Sequence, residues 1–370
     1  MDENYPVELL LNLLKIYSPS GREKEISNFL FLELRKLGFN TEIDEVGNVK
    51  AVIGEGRPRI FLCGHMDTVK GMINPYIRGK VIFGRGAVDA KSSLAALICG
   101  AKKFKEICNK GEITLLAVVD EEGYGKGIRY FLSKCNEKYD YAIFGEPSGT
   151  YGITIGYRGR ILLKISCKGK EAHSSIPKFS DNAIYKAKSI IDELLKIEEE
   201  WENINKETFW RPSLCVTKIK GGNSHNVIPS KCDIIVDIRV PPNMMNKVKE
   251  ELIRRIKKNE NIKIKKLSEN PPFLESENSI LAKLFLESIK EITGREGKLI
   301  KKTGTSDVND FAEKMKIPCV VYGPGNSKLS HTEKENISIR EYLESIEIIK
   351  TTLIKIIDYE IKNLLNRYGM

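Results

Sequence analysis

The feature that most limits how this chain can fold is the alternation of short apolar runs with longer amphipathic stretches. The runs at 59–64 (RIFLCG), 112–119 (EITLLAVV) and 139–145 (YDYAIFG) have the composition of buried strands. The stretch 92–104 has the composition of a helix. This alternation predicts an α/β domain, in which a mostly parallel sheet is covered by helices on both faces.

After Gly156 the pattern changes, because the predicted strands alternate apolar with polar residues, whereas the earlier runs are almost wholly apolar. The order of elements is β-α-β-β-α-β, which predicts a ferredoxin-like α+β unit. Its predicted elements are 160–168, 181–200, 215–220, 232–240, 247–258 and 262–266. The α/β pattern then resumes, with a helix at 279–293, a strand at 318–322 and a helix at 340–365. A chain of 370 residues is too long for one ordinary core. We therefore expect a catalytic domain formed by 1–155 and 271–370, interrupted by an inserted lid or dimerisation domain at 156–270.

Composition excludes several classes of protein. Hydrophobic residues make up 41% and charged residues 30% of the chain, as in globular proteins rather than disordered ones. No apolar run approaches the roughly 20 residues of a membrane helix. The apolar stretch 7–17 is broken by Glu8, Asn12 and Lys15 and resembles an amphipathic helix more than a secretion signal. Eight cysteines occur without a CxxC pair, which favours reduced thiols and a cytoplasmic location.

The net charge of +10 is unevenly distributed. Between Lys247 and Lys266 there are nine Lys or Arg against three Glu. Such a run is most often a solvated face, but it could also attract an acidic protein or a nucleic acid. No aromatic residues interleave it, so nucleic-acid binding gains little support.

Polar side chains follow the predicted strands where each strand ends. The carboxyl edge of an open α/β sheet is where ligands bind, so these side chains are the candidate site. Asp89 stands just before the predicted helix 92–104, and His331 follows the strand 318–322 and its Gly-Pro-Gly loop. The candidate site residues are therefore His65, Asp67, Asp89, Glu121, Glu122, Glu146 and His331.

Each of these motifs alone is weak evidence for a functional site. The pair His65 and Asp67 alone is more often structural, and the acidic run 120–122 alone is most often a solvated turn. Together the carboxylates would repel one another unless cations lay among them. Mixed histidine and carboxylate ligands suit Zn²⁺ better than Ca²⁺ or Mg²⁺.

The order of the motifs resembles the co-catalytic zinc aminoacylase and carboxypeptidase family. That family includes acetylornithine deacetylase, succinyl-diaminopimelate desuccinylase and glutamate carboxypeptidase. The resemblance rests on 64–68 (GHMDT), 84–91 (GRGAVDAK), 120–123 (DEEG), 145–147 (GEP) and 331–332 (HT) and covers essentially the whole chain.

The resemblance implies a dinuclear zinc amidohydrolase that cleaves linear amide bonds. It implies two Zn²⁺ ions per chain, with Co²⁺ as an alternative. His65 and Glu146 would hold one ion and Glu122 and His331 the other, while Asp89 would bridge them.

The resemblance also implies two roles beside the metal ions. Asp67 would orient His65, and Glu121 would be the general base.

Three residues of the inserted domain resemble substrate-binding positions of the family. His173 is similar to a histidine that reaches across a dimer interface to the reacting carbonyl, which implies a homodimer. Asn226 and Arg239 are similar to residues that bind the substrate carboxylate. Without the resemblance, the same three would be a turn histidine, a turn asparagine and a strand arginine in an ion pair.

The sequences 61–69 (FLCGHMDTV), 84–96 (GRGAVDAKSSLAA), 302–309 (KTGTSDVN) and 322–325 (YGPG) most resemble one group of family members. Those members release lysine or ornithine from an acidic amino-group carrier protein in lysine and arginine biosynthesis. The alternatives are a small-molecule deacylase acting on acetylornithine or succinyl-diaminopimelate, a binding protein without catalysis, and a nucleic-acid-binding protein.

Overall fold

The computed structural model describes residues 2–177, 181–257 and 261–368, and these residues form two compact units. Unit 1 contains residues 1–155, 275–300 and 310–370, and unit 2 contains 156–274 and 301–309. The predicted inserted domain, 156–270, therefore corresponds to most of unit 2. Residues 301–309, which we expected in the catalytic domain, group with unit 2 because the Asn309 amide donates to the carbonyl oxygens of Arg158 and Pro271.

The structure has helices and strands throughout the described ranges. The helices are α1 (Tyr5–Lys15), α2 (Lys24–Lys36), α3 (Lys91–Ile107), α4 (Lys126–Lys134), α5 (Ala183–Glu202), α6 (Met245–Ile256), α7 (Ile280–Thr293), α8 (Val308–Met315) and α9 (Ile339–Tyr368). The first strands are β1 (Asn40–Ile43), β2 (Val49–Glu55), β3 (Arg59–His65), β4 (Tyr76–Arg78), β5 (Val81–Phe83), β6 (Gly111–Val118), β7 (Tyr141–Gly145), β8 (Gly152–Tyr157) and β9 (Gly159–Lys168). The remaining strands are β10 (Ala172–His173), β11 (Ser213–Gly221), β12 (Val227–Ile228), β13 (Lys231–Val240), β14 (Ile262–Asn270), β15 (Phe273–Leu274), β16 (Lys298–Lys302), β17 (Cys319–Val321) and β18 (Asn336–Ser338).

The large sheet has the strand order β1-β2-β6-β3-β7-β17-β8-β15, and β16 also pairs with β8. Its four central strands, β6, β3, β7 and β17, are mutually parallel, whereas the outer strands pair antiparallel. The predicted α/β fold is thus confirmed, with the parallel arrangement confined to the centre of the sheet. β3 and β7 are buried along nearly their whole length, as strands covered on both faces must be.

Alternate side chains of β3 show that helices cover both faces of this sheet. Phe61 stacks on Phe131 of α4 and on Phe311 of α8. Gly64 lies on the other face of the strand from Phe61 and faces Leu94 of α3. A Cβ added to Gly64 would lie 3.3 Å from the backbone of this helix. The absence of a side chain at Gly64 therefore lets α3 pack closely beneath the strand that ends at His65.

Unit 2 contains a four-stranded antiparallel sheet with the order β11-β13-β9-β14. With α5 between β9 and β11 and α6 between β13 and β14, this is the ferredoxin-like arrangement that the sequence predicts. α5 and α6 bury Ile190, Leu194 and Leu252 against the sheet. The last strand is longer than expected, since β14 runs to Asn270 rather than Lys266. The expected end of α6, Lys258, lies outside the described residues.

None of the described helices combines the length and the apolar character required to cross a membrane.

Candidate metal centre

The candidate site lies in unit 1, where the central parallel strands end. His65 is the last residue of β3, the acidic run 120–122 follows β6, and Glu146 follows β7. Because β6, β3 and β7 are adjacent and parallel, their carboxyl ends bring these side chains to one edge. Asp89 precedes α3 at the same edge.

The structure brings the predicted ligands together in two groups. In one, ligand atoms of His65, Glu121 and Glu146 lie within 4.8 Å of one another. In the other, ligand atoms of Asp89, Glu122 and His331 satisfy the same limit. Glu121 and Glu122 therefore diverge, although they are neighbours in the sequence.

Asp89 connects the two groups. Its Oδ1 lies 3.3 Å from Nε2 of His65, and its Oδ2 lies 3.3 Å from Nε2 of His331. Nε2 of His331 is also 2.7 Å from Oε1 of Glu122. One carboxylate thus faces two imidazoles with two different oxygens, which is the arrangement that a bridging ligand requires. The donor set of imidazole nitrogens and carboxylate oxygens fits a pair of Zn²⁺-like ions.

The tautomer of His65 follows from its contacts. Nδ1 lies 2.9 Å from the backbone carbonyl oxygen of Asp67, which can only accept, so Nδ1 carries the proton and donates it. Nε2 is left available as a ligand. The resemblance implies the same orienting role for the Asp67 carboxylate, whose Oδ1 lies 3.5 Å from Nδ1 of His65.

The Asp67 carboxylate also holds the acidic loop 120–122. Its Oδ1 accepts from the backbone N–H of Glu121 and its Oδ2 from that of Glu122, both at 3.1 Å. Oδ2 also accepts from the Ser20 hydroxyl at 2.7 Å. Burial alone would raise the pKa of Asp67, but its interactions with His65 and Ser20 hold the pKa below its ordinary value.

Without metal ions the imidazoles are strongly basic. Burial alone would lower the pKa of His65, but Asp67 and Asp89 raise it well above its ordinary value. Hydrogen bonds with Asp89 and Glu122 raise the pKa of His331 to about 10. Two protonated imidazoles then supply positive charge beside these carboxylates.

The backbone around the site adopts uncommon conformations. Asp120 has a φ of 60° and His331 a φ of 64°, in the left-handed region that residues other than glycine seldom adopt. The peptide bond between Asp89 and Ala90 is cis.

Sequence reasoning missed a buried carboxylate that positions Asp89. Oε1 of Glu335 accepts from the backbone N–H groups of Gly86, Val88 and Asp89 at 2.9 to 3.1 Å. Its Oε2 accepts from Arg85 at 2.8 Å. The signal for it in the sequence was weak, since Glu335 is one of several acidic residues in a polar segment near His331.

The predicted substrate-binding residues all lie in unit 2. His173 and Asn226 belong to one small ribbon, in which β10 pairs with β12 and the N–H of Ser174 donates to the carbonyl oxygen of Asn226. Arg239, in β13, donates to Asp237 at 2.7 Å and to the Thr305 hydroxyl at 3.2 Å.

Comparison with known families identifies the chain. Residues 61–355 match the model of peptidase family M20/M25/M40. The chain belongs to this family. The expected relationship to zinc aminoacylases and carboxypeptidases is therefore confirmed, and the protein is a hydrolase of the M20 family.

The most similar proteins include two relatives that are each 36% identical to this chain. The LysW-lysine/LysW-ornithine hydrolase of Sulfurisphaera tokodaii is 36% identical over 353 residues, covering 95% of this chain and 94% of that protein. The enzyme of the same name from Saccharolobus solfataricus is 36% identical over 335 residues, covering 90% and 91%.

Solved structures of M20 proteins share the fold. A tripeptidase from Staphylococcus aureus superposes with a TM-score of 0.79 at 22% identity, covering 95% of this chain and 99% of the other. An M20 family metallo-carboxypeptidase from Sulfolobus solfataricus gives a TM-score of 0.78 at 21% identity, with coverage of 95% and 99%.

Proposed function

We propose that this chain is a dinuclear-metal amidohydrolase that releases lysine or ornithine from the C-terminal glutamate of an acidic amino-group carrier protein. The reaction would belong to lysine and arginine biosynthesis in the cytoplasm. The names of the relatives from Sulfurisphaera tokodaii and Saccharolobus solfataricus support the substrate. The observation that carries the chemistry is Asp89, whose two carboxylate oxygens each face a different imidazole at 3.3 Å.

In this proposal the two groups of ligands hold two ions. His65 and Glu146 would hold one, Glu122 and His331 the other, and Asp89 would bridge them. Zn²⁺ suits these donors, and Co²⁺ is the alternative. When bound, the ions supply Lewis acidity that polarises the amide carbonyl and lowers the pKa of the attacking water.

Glu121 would move the proton during the reaction. Its carboxylate lies within 4.8 Å of ligand atoms of His65 and Glu146 in the first group. Glu121 accepts the proton of the attacking water and returns it to the departing amine, so that one group acts as base and then as acid. Asp67 would keep Glu121 in place by holding its backbone N–H.

Unit 2 would complete the site in a homodimer. We propose that His173 stabilises the negative oxygen of the reacting amide in the other subunit, and that Asn226 and Arg239 bind the substrate carboxylate. The large apolar side chains of Tyr185 on α5 and Ile219 on β11, which are 70% and 53% exposed, support an interface on this unit.

The direct test compares candidate substrates side by side. Purified enzyme, loaded with Zn²⁺ or Co²⁺, is given carrier-linked lysine, carrier-linked ornithine, acetylornithine and succinyl-diaminopimelate, and the released amino acid is measured. We expect release from the carrier conjugates at a much higher kcat/KM. Faster turnover of either small amide would overturn the proposal in favour of a small-molecule deacylase.

A pair of adjacent variants tests the two carboxylate roles. Glu121→Gln should lower kcat about 10²- to 10⁴-fold while the metal content stays unchanged, because only proton transfer is lost. Glu122→Gln should lower the metal content itself. An activity assay measures kcat of both variants, and elemental analysis measures their metal content. Full activity of Glu121→Gln would exclude Glu121 as the base.

A further inference from the structure

Unit 2 contains a groove that the metal centre does not explain. It lies between α6 and β14, has a volume of about 530 Å³ and is lined only by residues of unit 2. Leu252 and Ile253 of α6 form one side of its floor, and Ile262 and Ile264 of β14 form the other. Ile253 is 48% exposed, so part of this floor is open to solvent. We call it the α6–β14 groove.

The rim of the groove is positively charged. Lys249 and Lys266, at one end, both pair with Glu269. Lys257 and Lys263 are exposed and form no ion pair with any carboxylate in the described ranges. Among the residues that the structure describes, the rim therefore places two lysines without a carboxylate partner beside an apolar floor.

The lysines on β14 also have a structural explanation, but it does not account for every residue of the groove. β14 is the outer strand of the sheet in unit 2, and lysines on an edge strand discourage pairing with other chains. That role requires neither Lys257, which follows α6, nor the exposed Ile253. An apolar floor with a cationic rim has the composition of a binding site for an acidic polypeptide that presents apolar side chains.

We propose that the α6–β14 groove binds an acidic segment of the carrier protein whose amide is hydrolysed. The inference rests on the proposed function, because only a substrate attached to a protein needs a docking surface in addition to the metal centre. Charge complementarity between the lysine rim and the acidic carrier favours this occupant over a second copy of this chain, whose net charge is +10.

The test compares a whole carrier with a short substrate. The double variant Lys257→Glu/Lys263→Glu should raise KM for carrier-linked lysine about tenfold at low salt, because complementary charge speeds encounter. Its kinetics on a short peptide ending in the same glutamate-linked lysine should equal those of the wild type. The matched control Lys80→Glu/Lys283→Glu makes the same charge change at exposed positions of unit 1 and should leave both substrates unaffected.

A second variant tests the apolar floor. Ile253→Ser removes apolar surface from the groove without changing charge, and it should also raise KM for the carrier substrate alone. Circular dichroism and thermal unfolding check that each variant is folded. In the wild type KM for the carrier should rise with salt, and the double variant should show a weaker rise.

The outcomes separate the two proposals. If the wild type hydrolyses neither the carrier conjugate nor the short peptide, the proposed function fails, and binding of the free carrier, measured by fluorescence anisotropy, still tests the groove. If both substrates are hydrolysed and the groove variants keep the wild-type KM for the carrier, the docking inference is overturned. A change of oligomeric mass in the groove variants, measured by light scattering, would instead identify a second copy as the occupant.

Discussion

Two buried carboxylates in unit 1 hold backbone N–H groups of the loops that carry candidate metal ligands. Asp67 accepts from the N–H groups of Glu121 and Glu122, and Glu335 accepts from three N–H groups that include that of Asp89. Each thereby fixes a loop that presents candidate metal ligands. Such fixed loops matter because ligands must be held within a fraction of an ångström to favour one metal geometry.

Glu335→Ala should destabilise the metal-free protein by about 3–5 kcal/mol, because it leaves the buried charge of Arg85 without its carboxylate partner and three backbone N–H groups without their acceptor. Arg85 would keep only the carbonyl oxygens of Gly71 and Thr332. Denaturant unfolding measures the loss, and metal affinity should fall with it. The exposed neighbour Glu333 provides a control, since Glu333→Ala should change stability by no more than about 0.5 kcal/mol. Equal stability of the two variants would show that Glu335 does not hold this loop.

The raised pKa values of His65 and His331 predict that metal binding displaces protons. Because an imidazole must be deprotonated to bind a metal, affinity should fall about tenfold per pH unit for each imidazole as the pH is lowered. Calorimetry in buffers of different ionisation enthalpy counts the protons released. The control is His225→Ala, since His225 lies outside the ligand groups, and it should leave the number of released protons unchanged. A metal affinity that did not depend on pH between about pH 6 and 8 would contradict the prediction.

The same protons affect the stability of the metal-free fold. The folded-state pKa of His331, about 10, exceeds its ordinary value of 6.5. Its contribution to the free energy of unfolding is therefore fully present below about pH 6.5 and is lost as the pH rises through about 10.

At the scale of elements, the position of α3 determines where Asp89 lies. α3 begins two residues after Asp89 and packs against α9 at Gly100. A Cβ added at Gly100 would lie 2.6 Å from Cγ2 of Ile349, closer than side-chain atoms approach. The two helices can therefore approach this closely only with glycine at this position.

Gly100→Ala should destabilise the protein by about 1–3 kcal/mol through overpacking, although alanine is the better helix former. The matched background is Ile349→Ala, which removes the nearest atom, Cγ2, but keeps Cβ at 2.9 Å, so the cost of Gly100→Ala should be smaller there without disappearing. Denaturant unfolding of the four proteins gives the coupling energy. Additive effects of the two substitutions would show that Cγ2 of Ile349 is not the atom that excludes a side chain at Gly100.

At the scale of the whole molecule, the candidate ligands belong entirely to one of the two units. Asp89, Glu121, Glu122 and Glu146 bring four carboxylates to one edge of the large sheet. Bound cations would offset their mutual repulsion and stabilise the folded form of unit 1.

Removal of metal by a chelator should therefore loosen unit 1 selectively. Amides of residues 85–90 and 119–125 should exchange faster with solvent deuterium, whereas those of β9 and β13 in unit 2 should keep their protection. At a free metal concentration of about 100 times Kd, the stabilisation lost is about 2.7 kcal/mol. Uniform loss of protection in both units would contradict a stabilisation confined to the metal centre.

The sequence predicted those helices and strands whose own residue pattern is enough to distinguish them from a loop. The buried runs of β3 and β7 and the amphipathic α5 and α9 were located to within a few residues. Strands with exposed or mixed residues, such as β1, and short helices, such as α4 and α8, were not predicted, because their apolar pattern is too short to distinguish from a loop.

The sequence by itself determined the α/β class and the set of candidate ligands, because strand ends in a parallel sheet bring the residues after them to one edge whatever the exact packing. Tertiary structure decided the hydrogen-bond partners: that the Asp67 carboxylate holds the acidic loop, that Glu335 holds the loop before α3, and that residues 301–309 join unit 2. Glu335 lies 249 positions from Gly86, whose N–H it accepts. Such contacts depend on which strands pair and in what register, and no local pattern of side chains encodes that choice.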